Sequence, residues 1–77
     1  MNSQTAKKNR DIEKTYSDEE TIQKLERLVE CMRSGKPYEI QVAGERIYVP
    51  VKAVFSIEHE RSGKEEELEF QFKWKVE

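Results

Sequence analysis

From Glu67 to Val76 the chain alternates without a break. Leu68, Phe70, Phe72, Trp74 and Val76 are interleaved with Glu67, Glu69, Gln71, Lys73 and Lys75. Successive side chains of a β-strand point to opposite faces, so this stretch predicts a strand with one large apolar face and one polar face. On a helix the same residues would be spread around the cylinder, so no other regular structure fits the period. Such a strand needs neighbours, and its apolar face needs a cover.

The cover is expected upstream. Ser17-Asp18-Glu19-Glu20 has the spacing of a capping box, in which the Ser17 hydroxyl and the Glu20 carboxylate each satisfy the other's backbone N–H. The three acidic residues also suit the positive end of a helix dipole. The helix is expected to run to about Arg33, with Gly35 as a left-handed cap and Pro37 blocking continuation. Ile22, Leu25, Leu28, Val29 and Met32 fall on one stripe at helical spacing. That stripe is the expected partner of the apolar strand face. Cys31 falls about 120° from its centre at 3.6 residues per turn, on or near the solvated side.

Between helix and final strand the alternation predicts more strands. Tyr38, Ile40 and Val42 alternate with Glu39 and Gln41, and Ile47 and Val49 flank Tyr48. Gly44 makes these a hairpin, with either Gly44-Glu45 or Ala43-Gly44 at the turn. Pro50 ends the second strand or marks a bulge. Ala53, Phe55, Ile57 and His59 then share a face, opposite Val54, Ser56, Glu58 and Glu60. A tight turn at Ser62-Gly63 would set Ile57 against Leu68, Phe55 against Phe70 and Ala53 against Phe72. That register also opposes Glu58 to Glu67 and Lys52 to Lys73, which is unfavourable. Upstream, Asp11 to Tyr16 alternates briefly and is a candidate fifth strand. Met1 to Arg10 lacks apolar periodicity and reads as a flexible tail carrying Lys7, Lys8 and Arg10. The expected fold is α+β: residues 11–77 as a single domain, one amphipathic helix on one face of a four-stranded antiparallel meander.

As a set, these features resemble the amphi-Trp domain family. The resemblance rests on the Ser17-led acidic helix, Ser34-Gly35-Lys36, Ile40-Gln41-Val42-Ala43-Gly44, Val49-Pro50 and the closing strand Glu67–Trp74. It covers roughly residues 15–75. Ser56 interrupts the acidic alternation usual in the penultimate strand of that family. The resemblance implies the helix-and-strands fold and no settled activity, so no functional residue is carried over.

Chemistry is sparse in the 77 residues. Acid–base catalysis draws on a positioned His or a carboxylate pair in a cleft, and the only histidine is His59, at a strand end. Cys31 sits near the helix C-terminus, which disfavours a thiolate. These two do not make a zinc site, which needs about four ligands. There is no phosphate-binding loop, no nucleophile motif and no apolar run of transmembrane length. The expectation is a non-catalytic cytoplasmic domain with no cofactor, no metal, no small-molecule substrate and no membrane contact. The expected partner is a protein, including a second copy. A strand edge over 30 Å long is a template for pairing, and its polar face runs from Glu67 and Glu69 to Lys73 and Lys75. Trp74, Lys73, Lys75 and Tyr48 are the candidate contact residues. A weak nucleic-acid-binding domain using the basic tail with Lys73 and Lys75 is the alternative. A formal net charge of −2 argues against it.

Overall fold

The computed structural model describes residues 8–76. Along the chain it contains α1 (Asp18–Ser34), β1 (Tyr38–Val42), β2 (Glu45–Val49), β3 (Val54–Ser62) and β4 (Glu65–Lys73). The α+β class and the antiparallel pairing are as expected. Residues 1–7 of the expected tail lie outside the described residues.

The helix ends are set by local chemistry. Ser17 Oγ accepts from the Glu20 N–H at 3.2 Å, and the Ser17 N–H donates back to Glu20 Oε1, closing the capping box. At the other end Gly35 takes φ 65°. Its N–H donates to the Met32 carbonyl at 3.2 Å, while that of Lys36 donates to Cys31 at 2.9 Å. That pair of bonds is a Schellman motif and satisfies carbonyls that the helix itself leaves open.

β1 and β2 form a hairpin in which Tyr38 faces Val49, Ile40 faces Ile47 and Val42 faces Glu45. Of the turns the sequence left open, the chain adopts Ala43-Gly44, with φ 48° and 85°. Positive φ at both positions gives the twist that antiparallel strands need.

β3 and β4 form the longer hairpin, displaced by two residues from the expected register. Ile57 faces Phe70, Phe55 faces Phe72 and His59 faces Leu68. The turn is Gly63-Lys64 because Gly63, at φ 61°, occupies the first turn position, where positive φ suits glycine. A Ser62-Gly63 turn would have placed serine there. Like charges are still opposed, now as Glu58 to Glu69 and Glu60 to Glu67. Phe55 packs edge-on to Phe70, ring centroids 5.8 Å apart, and tilted against Phe72 at 5.0 Å.

The hairpins do not join into the expected four-stranded meander. They are separate two-stranded sheets. Pro50 has no N–H to continue a ladder, and the Ala53 N–H is taken up by the Pro50 carbonyl at 3.1 Å in a turn. That turn carries β3 away from β2. Asp11–Tyr16 is likewise not a strand. Its ties are made by side chains: Tyr16 Oη reaches the Gln41 carbonyl at 3.4 Å, and Arg10 donates to the Val42 carbonyl at 2.8 Å and pairs with Glu45 at 2.9 Å. Ile12 remains exposed, so no apolar burial fixes a strand register there. The basic end of the expected tail is thus anchored at Arg10.

The buried centre is small. Among the described residues, Tyr38 and Val49, at 7% and 9% exposure, are the buried hydrophobic ones. Tyr38 is held under the helix by its hydroxyl, which donates to the Lys24 carbonyl at 3.0 Å. Arg27 lies over the Tyr38 ring at 4.7 Å and donates to the Glu39 carbonyl. Leu28 and Met32 meet Tyr38, Val49, Phe55 and Phe72 around a cleft of about 130 Å³ where helix and hairpins converge.

The helix therefore docks by a different side from the expected one. Lys24, Leu28 and Cys31 are the half-buried positions, about 100° round from the centre of the apolar stripe at 3.6 residues per turn. Ile22, Leu25, Val29 and Met32 remain 44–56% exposed. Cys31, expected near the solvated side, is half-buried. The polar anchors Tyr38 and Arg27 set this rotation, and an apolar-periodicity argument does not see them.

Candidate functional site

The C-terminal hairpin presents two unlike faces. Its inner face carries Phe55, Ile57, Leu68 and Phe70, which are 41–64% exposed. Only its base, at Phe55 and Phe72, reaches the cleft under the helix. Val54, Ser56, Glu58 and Glu60 on β3, with Glu65, Glu67, Glu69, Gln71 and Lys73 on β4, make the other face by alternation.

That outer face is graded in charge. Near the turn, Glu60, Ser62, Glu65, Glu66 and Glu67 surround an acidic depression of about 360 Å³. Near the base, Lys52, Val54, Ser56, Lys73, Trp74 and Lys75 line a groove of about 500 Å³. Gln71 stands between, its amide donating to Glu58 at 3.1 Å and to Glu69 at 3.2 Å. The Glu69 carboxyl is raised above the usual carboxylate range, chiefly by its hydrogen bond with Glu58 and then by desolvation. Opposed carboxylates that share a hydrogen bond favour holding a proton.

Three of the expected contact residues, Lys73, Trp74 and Lys75, come together in the basal groove. Trp74 departs from the alternation. β4 ends at Lys73, and Trp74, half-buried, lines the outer groove with Val54 and Ser56. Tyr48 is apart from them, exposed on β2 opposite Glu39. The nearby Tyr48 hydroxyl, followed by the charge of Glu39, raises the Arg46 guanidinium further.

At the hairpin tip, His59 Nε2 lies 2.9 Å from Glu66 Oε1, and Arg61 donates to the same oxygen at 3.2 Å. These contacts, His59 first, lower the Glu66 carboxyl. All three side chains are about half exposed or more. Among the described residues no group of three or more His, Cys, Asp and Glu is placed to hold a metal ion. No described helix is long and apolar enough to cross a membrane.

A second apolar surface lies on the helix, where the periodicity predicts core. The helix stripe Ile22, Leu25 and Val29 forms, with Glu26, Glu30 and Arg33, a groove of about 510 Å³. The stripe itself was plain in the periodicity. Which way it turned was not.

Comparison with known proteins adds no relative: no family model matches the chain, no curated protein matches it, and no solved structure matches it.

Proposed function

We propose that this chain is a non-catalytic protein-interaction domain of the amphi-Trp type that self-associates through β4. The observation that carries the reading is the graded edge strand. Among the described residues β4 pairs only with β3, which leaves its other edge to template a second strand. An antiparallel copy centred on Gln71 would set Glu69 opposite Lys73, bring Glu67 towards Lys75, and set Phe70 opposite Phe72. Opposite charges and aromatic pairs directly across strands each contribute about 0.2–1 kcal/mol. The same register repeats on both sides of the two-fold axis, as a symmetric dimer requires.

The nucleic-acid alternative has less support. Arg10 is engaged by Glu45 and the Val42 carbonyl, and Lys73 shares its strand with Glu65, Glu66, Glu67 and Glu69.

A charge exchange tests the edge. Lys73→Glu with Lys75→Glu makes the strand uniformly acidic; Glu67→Lys with Glu69→Lys makes it basic. Each variant alone should sediment at lower mass than wild type, and their mixture should recover the dimer. Unchanged association of either variant alone rules out this edge.

A further inference from the structure

The chain leaves two apolar surfaces in water. One is the stripe Ile22, Leu25, Val29 and Met32 on α1; the other is Phe55, Ile57, Leu68 and Phe70 on the C-terminal hairpin. We infer that each is the other's cover between copies: the helix stripe of one chain packs on the inner hairpin face of a second. This names a second contact of the same assembly, and it rests on the self-association proposed above.

Size supports it. An aromatic side chain offers roughly 150–250 Å² and an aliphatic one less, so side chains about half exposed leave at most on the order of 100 Å² each in water. The eight residues of both surfaces together then amount to at most about 800 Å² per copy, which reaches the area each partner contributes to a standard interface. Length supports it too. Ile22 to Met32 spans about 15 Å of helix, and the pairs from Phe55–Phe72 to His59–Leu68 span about 13 Å of hairpin. A symmetric pair uses both surfaces of both chains and leaves neither open to a third.

The occupant is a second chain because Ile22, Leu25 and Val29 are held away from the chain's own hairpin, which α1 meets only at its base, where Leu28 and Met32 reach Phe55 and Phe72. Tyr38 binds the Lys24 carbonyl, and Arg27 binds the Glu39 carbonyl and covers the Tyr38 ring. Rolling α1 to bring its stripe inward would break all three contacts. The shortage of core gives the drive. Among the described residues Tyr38 and Val49 are the buried hydrophobic ones, and thirteen large hydrophobic residues are left exposed.

The test uses full-length chains carrying Cys31→Ser, to remove the native thiol. Leu25→Cys is made in one chain and Phe70→Cys in another of different mass, and the two are mixed with a short bismaleimide linker. The expected product joins one of each and exceeds either same-variant product. A chain carrying both cysteines that closes on itself at monomer mass overturns the inference in favour of internal closure. Separately, Val29→Lys should shift the sedimenting mass from two chains to one while far-ultraviolet circular dichroism keeps its helix; an undiminished dimer overturns the inference. If charge exchange on β4 controls association but no helix-to-hairpin product forms, this inference fails and the β4 reading stands. Wild type sedimenting as a monomer at high protein concentration sinks both.

Discussion

Tyr38 donates its hydroxyl to the backbone carbonyl of Lys24 at 3.0 Å, which ties the first residue of β1 to the middle of α1. Because the tie is polar and directional, it fixes how the helix is rolled as well as where it lies. Tyr38→Phe should lower stability to urea by about 1 kcal/mol, the usual net worth of such a bond. The alkaline side gives a sharper check. Burial raises the Tyr38 phenol above its ordinary 10.0, with Arg27 opposing. The folded chain thus holds that proton more tightly than the unfolded chain does. The associated stability is fully present below pH 10 and is lost as pH rises through the folded value. The gap between wild type and Tyr38→Phe should be flat up to about pH 10 and close above it.

The Ala43-Gly44 turn gives a second test. Ala43 sits at φ 48°, where a residue with a Cβ is strained by about 1–2 kcal/mol. Asparagine tolerates this region and Asn-Gly is the favoured pair for such a turn. Ala43→Asn should therefore raise the urea midpoint, by up to about 1 kcal/mol in stability, and Ala43→Val should lower it. Equal midpoints for both variants would mean that the turn has another geometry.

The opposed carboxylates of β3 and β4 give a third. Glu58 faces Glu69, and the Glu69 carboxyl is raised above its ordinary 4.5. A raised carboxyl adds stability below pH 4.5, and that stability is lost as pH rises through the folded value. Like charges directly opposed across strands are destabilising. Glu69→Gln should raise the melting temperature at pH 7. The advantage should shrink towards pH 4 and in high salt, which screens exposed charges. An advantage independent of both pH and salt would point to packing instead.

What the sequence made legible was local. The capping box at Ser17 and Glu20, the Gly35 cap and the alternation of β1 through β4 each depend on residues within a few positions, and each is present. The differences lie where residue type alone does not settle the choice. The β3–β4 register turned on whether Gly63 was first or second in its turn. The final strand stopped at Lys73, short of Trp74. The roll of α1 was decided by Tyr38 and Arg27, whose partners are backbone carbonyls and carry no signature in residue type. Period marks the helix stripe and the hairpin face as apolar but does not say how far each is buried, and both remain largely exposed.

The Pro50–Ala53 turn has a consequence for how the chain reaches this form. The helix, the β1–β2 hairpin and the β3–β4 hairpin on either side of it each close among near neighbours in sequence. Helices of this size relax within about 1 μs and hairpins within about 10 μs. Nothing on that timescale waits for a distant segment to arrive. Under the proposed self-association, ordering of the elements and meeting of two chains are then separable in time, and dilution slows only the later one.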